Sequence, residues 1–75
     1  MKSLALLRKE RGFSRTRLAW ELRTSEVQIW RWEKGLSLPN LPSALKLAKV
    51  LGISVQELYE ILKNQKRGDH NEVNS

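Results

Sequence analysis

Polar and apolar side chains lie on opposite sides of a short predicted helix over residues 25–34. On a helical wheel, Ile29 and Trp32 lie about 60° apart on one side. The opposite arc, about 140° wide, combines hydrogen-bond donors, an acceptor and apolar surface. Such a combination could read the edges of bases in the major groove of DNA. Five side chains share this arc: Glu26, Val27, Trp30, Arg31 and Lys34.

Each of these residue types has a defined partner in a DNA groove. Arg31 could donate two hydrogen bonds to guanine, Glu26 could accept one from cytosine, and Val27 could contact a thymine methyl group. Lys34 could reach a phosphate, and Trp30 could pack on a sugar. Two alternatives stay open. The helix dipole favours a carboxylate such as Glu26 in any first turn, and Trp30 could pack on a neighbouring helix or a second subunit.

The preceding predicted helix, over about residues 14–22, begins with two arginines. The dipole of a helix disfavours cations in the first turn, so Arg15 and Arg17 are unfavourable there for stability alone. A phosphate bound at the exposed N–H groups of that turn would reverse the effect. We therefore expect both arginines to contact the backbone of a nucleic acid.

The charge of the chain points to the same kind of partner. The 75 residues carry a net charge of +6, and residues 1–34 hold nine Lys and Arg against four Glu, which is +5 of that total. A polyanion is the expected partner, with an anionic membrane surface as the lesser alternative. The alternative explanation is that the basic residues only keep the protein soluble and bind no partner.

Catalysis, cofactors and metal sites have no support in the composition. The chain contains no cysteine, and His70 is the only histidine. Because there are no paired carboxylates and no nucleophile–base set, we expect no catalytic residue, no metal, no cofactor and no small-molecule ligand. The apolar run from Leu4 to Leu7 is too short for a signal peptide or a membrane helix, so we expect a cytoplasmic protein.

Helix starts are marked at five places by residues that favour the N-cap position. The pattern predicts one all-α domain over residues 1–63 with no strand. Residues 64–75 contain a single apolar residue, so we expect a disordered tail there. The predicted caps are Ser3, Ser14, Ser25, Asn40 and Ser54. The inward face predicted for the fourth helix is Leu41, Leu45, Ala48 and Leu51.

Four short motifs follow one another at fixed spacing through about residues 4–62. They are Leu4-x-x-Leu7-Arg8, Gly12-Phe13-Ser14-x-x-x-Leu18-Ala19, Ile29-x-x-Trp32-Glu33-Lys34-Gly35-x-x-x-Pro39 and Leu47-Ala48-x-x-Leu51-Gly52-Ile53. This ordered set resembles the lambda-repressor/Cro-type (XRE-like) helix-turn-helix family. The resemblance implies a compact five-helix, lambda-repressor-like domain that binds operator DNA, usually as a dimer. Its second helix would lie across the backbone and its third would enter the major groove.

The resemblance also implies a role for individual residues. The base-reading positions are Glu26, Val27 and Arg31. The positions that flank them are Ser25, Gln28 and Trp30, and the phosphate position is Arg15. A structural ion pair would join Arg8 to Glu33.

Three features depart from the family pattern. Arg23 stands in the turn where the family usually has Gly, and a left-handed conformation is unfavourable for it, so we expect a rearranged turn. The loop after Gly35 reads Leu36-Ser37-Leu38 where the family usually has basic residues. Trp30 is bulkier than the small polar residue usual at its position.

The sequence therefore indicates a sequence-specific regulator of transcription that binds double-stranded DNA. We expect a repressor that occupies a palindromic operator as a homodimer, with a dimer surface near Leu51, Val55 and Tyr59. Two alternatives stay open. The exposed apolar residues Trp30, Leu36 and Leu38 would suit a protein-interaction module of the same fold, antitoxin-like or anti-repressor-like. The arginines Arg15, Arg17 and Arg23 would suit nonspecific binding of nucleic acid.

Overall fold

Five α-helices account for the regular structure of residues 3–74, as the sequence predicts. A computed structural model describes the backbone of residues 3–74 and the side chains of residues 3–65. Over those residues there is no strand, which confirms the all-α class. The helices are α1 (Leu4–Glu10), α2 (Arg15–Leu22), α3 (Glu26–Lys34), α4 (Leu41–Leu51) and α5 (Val55–Asn74).

Each helix begins with the same local hydrogen bond. A Ser or Asn side-chain oxygen accepts the backbone N–H three residues ahead, and so satisfies one of the unpaired donors of the first turn. These bonds are 3.0–3.1 Å long. The capping residues are the five that the sequence predicts: Ser3, Ser14, Ser25, Asn40 and Ser54.

Helices α2, α3 and α4 also end in one common way. The residue after each helix, Arg23, Gly35 or Gly52, has a left-handed backbone. The next N–H then bonds to the carbonyl five residues back, as in the Thr24 N to Ala19 O bond of 2.9 Å. The expectation of a rearranged turn at Arg23 was therefore wrong. Arg23 adopts φ 56° and ψ 47°, which are values typical of glycine at this position.

One hydrophobic core holds the five helices together. Trp32 of α3 is its largest side chain and is almost completely buried. Phe13, Ala44, Val50 and Ile53 pack against the core from partly exposed positions. Its buried members are Leu4, Leu7, Leu18, Ala19, Leu22, Ile29, Trp32, Leu47, Ala48, Leu51, Leu58, Ile61 and Leu62.

The inward face of α4 differs from the predicted one. Leu41 and Leu45 were expected inside, but both are exposed. Leu47 is buried in their place, together with Ala48 and Leu51. On the helical wheel, Leu47 lies about 160° from Leu45, so the two residues cannot share one face of α4. Because Leu47 is buried, α4 is rotated about its axis relative to the predicted orientation. This rotation leaves two leucines on the surface.

Gln65 lies two residues beyond the domain boundary expected after residue 63 and makes two hydrogen bonds to earlier helices. The Gln65 side chain accepts a hydrogen bond from the Leu4 N–H (2.7 Å) and donates one to the Trp32 carbonyl (2.9 Å). These bonds join α5 to the start of α1 and to α3. The rest of the predicted tail, residues 66–75, lies outside the side chains that the structure describes.

Candidate nucleic-acid interface

Helices α2 and α3 form one packed unit with a short turn between them. Leu18, Ala19 and Leu22 bury the inner side of α2, while Ile29 and Trp32 bury the inner side of α3. The turn holds only Arg23, Thr24 and the cap Ser25. Since both inner sides are fixed in the core, the opposite side of α3 is presented to solvent in a defined orientation.

The outward side of α3 carries the five side chains that the wheel places there, and we call this set the reading face. All five are exposed, including the apolar Val27 (59%) and Trp30 (40%). Single exposed apolar residues are ordinary, whereas contiguous apolar patches rimmed by polar groups are common at interaction surfaces. The reading face consists of Glu26, Val27, Trp30, Arg31 and Lys34.

Arg31 differs from most other described arginines in having no partner among the residues that the structure describes. Within the described residues its guanidinium makes no hydrogen bond and no ion pair, whereas Arg8, Arg11, Arg15 and Arg17 all do. The side chain borders a shallow depression on α3, shared with Ser25, Val27 and Gln28. Its five N–H donors are therefore available to a ligand at this depression.

A buried carboxylate connects α1, α2 and α3. Glu33 is 2% exposed at its side chain and accepts from Arg8 Nε at 2.5 Å and from Arg15 Nε at 3.0 Å. Arg8 also donates from Nη1 to the Phe13 carbonyl at 2.8 Å. The structure thus contains the Arg8–Glu33 pair that the resemblance implies and extends it to a third member. Two cations around one anion leave a net charge of +1 at this cluster.

Arg15 is the exposed member of the cluster. Its side chain is 41% exposed, against 6% for Arg8. The bond to Glu33 uses Arg15 Nε, and the two Nη groups make no hydrogen bond or ion pair with another described residue. Glu33 therefore holds the guanidinium near the first turn of α2 and leaves its outer donors available. The sequence could not predict this contact, because it joins residues 18 positions apart.

Arg17 lies apart from Arg15, although both belong to the first turn of α2. Its guanidinium pairs with Glu21 (3.2 Å) and stacks over the Trp20 ring, 5.4 Å from the centroid. Trp20 is 70% exposed on the outer side of α2. The sequence predicted no role for Trp20, although a helical wheel places it on the side of α2 opposite the buried residues. The two arginines thus do not form one cluster.

Metal-site and membrane signals are absent from the part of the chain that the structure describes. No three His, Cys, Asp or Glu side chains there lie close enough to hold a metal ion. None of the helices, as far as it is described, has the length and apolar character needed to cross a membrane.

The order of elements, the capped turn and the outward face of α3 define a class of protein. Residues 4–58 match the model of the helix-turn-helix family. The chain belongs to this family and to its lambda-repressor/Cro-type (XRE-like) branch, as its motifs suggest. Members of this family place the second of the paired helices in the major groove of DNA.

A curated relative comes from Aeropyrum pernix. The chain is 35% identical to it over 60 residues, and the relative is assigned as an HTH-type transcriptional regulatory protein. The matched segment covers 80% of this chain but 18% of the relative, so the similarity concerns one domain of a much longer protein. No solved structure matches the chain.

Proposed function

We propose that this domain binds double-stranded DNA in a sequence-specific manner and regulates transcription. The observation that carries the proposal is the exposed guanidinium of Arg31, which has no hydrogen-bond or ion-pair partner among the described residues, beside the exposed Val27 on α3. A free cation has little effect on stability, and an exposed valine is a poor helix former, so neither is explained by folding. Both fit a base-reading role, with Glu26 beside them as an acceptor for cytosine.

Arg15 supports the proposal as a candidate contact to the phosphate backbone of DNA. Its outer donors lie next to the start of α2, where backbone N–H groups and the helix dipole favour an anion. Lys34, the last residue of α3, adds a second exposed cation. We infer that these two residues contact phosphates, while Ser25, Gln28 and Trp30 flank the base contacts. Arg17 is a weaker candidate, because Glu21 already pairs with it.

Repression is the proposed mode of regulation, and it requires nothing beyond occupancy of the site. A domain of this size bound in the groove of an operator would block polymerase or a competing activator from the same DNA. The palindromic operator that we propose would follow from a homodimer, because two-fold symmetry in the protein is matched by symmetry in the half-sites.

An apolar groove offers a surface for the homodimer. It lies between the loop that follows α3, the start of α4 and the first turns of α5, with Leu41, Val55 and Tyr59 exposed at its edge. Leu51, expected at this surface, is completely buried and belongs to the core. The groove is lined by Leu38, Pro39, Leu41, Ala44, Val55, Leu58, Tyr59 and Leu62. Sedimentation of wild-type protein and of Tyr59→Asp would test this surface, since the variant should shift the equilibrium toward monomer.

The test of the proposed function is a selection of bound sequences from a random duplex library, followed by one substitution. Arg31→Ala should weaken binding to the selected operator by about 1–3 kcal/mol and leave binding to random duplex unchanged. The matched control is Lys46→Ala, which removes a cation from the exposed side of α4. Equal losses on both duplexes would contradict base reading by Arg31.

A second candidate function rests on the same apolar groove and on the exposed Trp20. A protein-interaction module of the helix-turn-helix fold would use those surfaces and would not need DNA. It predicts no salt-dependent affinity for any duplex, whereas the proposed function predicts a steep salt dependence. Nonspecific nucleic-acid binding would give the salt dependence but no selected sequence. The library selection together with a salt titration of the affinity for duplex DNA therefore separates all three.

A further inference from the structure

We infer that Val27 and Arg31 act together and read a thymine and a guanine that are adjacent on one strand of the operator. This inference rests on the proposed function and makes it specific, because it names the base step that one pair of side chains recognises. It follows from the position, exposure and chemistry of the two residues on α3.

The two side chains reach the same place. Residues four apart on a helix have Cβ atoms about 5–6 Å from each other. Helical side chains point back toward the N-terminus, so the Arg31 guanidinium projects over the turn that carries Val27. Consistent with this, both residues border the depression on the outer side of α3. Neighbouring bases on a strand are about 3.4 Å apart along the axis, so this spacing suits two adjacent bases.

The chemistry of each side chain selects one base. Guanine presents two acceptors, O6 and N7, in the major groove, and they match the paired donors of a guanidinium. Thymine alone among the standard bases presents a methyl group there. Val27 offers a rigid apolar surface to that methyl group, because a β-branched side chain in a helix has essentially one rotamer. Arg31 has no competing acceptor among the described residues.

Single-atom changes in the DNA test the inference directly. In the selected operator, replacing the contacted thymine with uracil removes only the methyl group, and we expect wild-type binding to weaken about fourfold. Replacing the adjacent guanine with 7-deazaguanine removes the N7 acceptor and should weaken binding at least about fivefold.

Variants assign each effect to its residue. Val27→Ser should lose the sensitivity to uracil and keep the sensitivity to 7-deazaguanine, and Val27→Ile, which retains the methyl groups, should keep both. Arg31→Ala should lose the sensitivity to 7-deazaguanine. Val27 is exposed, so the Ser variant should fold, and its helical circular dichroism provides the check.

The outcomes separate this inference from the function on which it rests. If the library yields no preferred sequence, both fail. If it yields a preferred sequence without an adjacent thymine and guanine, only the inference fails. Equal sensitivity of wild-type and Val27→Ser protein to uracil would overturn it in the same way, because the methyl contact would then belong to another residue.

Discussion

Arg23 gives the sharpest prediction about stability. It ends α2 in the left-handed region, at φ 56° and ψ 47°, and it is the one non-glycine residue with positive φ among residues 3–74. Gly35 and Gly52 occupy the equivalent position after α3 and α4. The Arg23 side chain is exposed and makes no hydrogen bond or ion pair with another described residue. Arg23→Gly should therefore relieve strain without removing a hydrogen bond or an ion pair.

The expected size follows from two opposing effects. A left-handed conformation costs a residue with a Cβ roughly 1–2 kcal/mol. Glycine loses more backbone entropy on folding, which offsets about 0.5–1 kcal/mol of the gain. The net stabilisation of Arg23→Gly should be about 0.5–1 kcal/mol, equivalent to a rise in Tm of about 2–8 °C for a domain of this size.

Urea unfolding followed by circular dichroism measures the change, and Arg23→Ala is the matched control. Alanine removes the same charge and the same long side chain but keeps the Cβ, so its free energy of unfolding should stay within about 0.5 kcal/mol of wild type. The comparison of the two variants isolates the backbone effect. If Arg23→Gly were no more stable than Arg23→Ala, the conformation at the end of α2 would not be strained and the explanation would be wrong.

Two further predictions concern Gln65 and Arg15. Gln65→Ala should lower the free energy of unfolding by about 2 kcal/mol, because two partly buried hydrogen bonds are lost at about 1 kcal/mol each. Lys63→Ala on the same helix should have almost no effect, and an equally small change for Gln65→Ala would place residue 65 outside the folded domain. Arg15→Ala should weaken binding to operator and random duplex alike and reduce the slope of log K against log[salt] by about 1. A loss confined to the operator would instead indicate base reading by Arg15.

Local signals explain why most of the helices could be predicted. The five caps and the glycines after α3 and α4 act within a few residues of one another, so they are visible in the sequence. The same holds for the two sides of α3, because Ile29 and Trp32 alone fix which side is buried. The exposed side of α3 could therefore be predicted from the sequence, whereas its role in base reading stays a prediction.

Long-range contacts explain what could not be predicted. Gln65 is polar and lies in a polar stretch, and only the positions of Leu4 and Trp32 give its amide two partners. The orientation of α4 likewise depends on which of several leucines meets the other helices, and Leu47 is buried where Leu45 was expected. The contact between Arg15 and Glu33 depends on how α2 packs on α3. None of these long-range contacts is marked by a periodic pattern in the sequence.

The structure changes what the net charge of the chain means for binding. Arg8 and Arg11 are basic residues of the N-terminal half, but they donate to the Phe13 and Leu51 carbonyls, and Arg8 also neutralises Glu33. Arg17 is paired with Glu21. These arginines already have partners within the protein, so a count of basic residues overstates the number of cations available to contact DNA. Within α2 and α3, the proposed function leaves Arg15 and Lys34 for phosphates and Arg31 for a base, so we expect each of these three residues to matter individually.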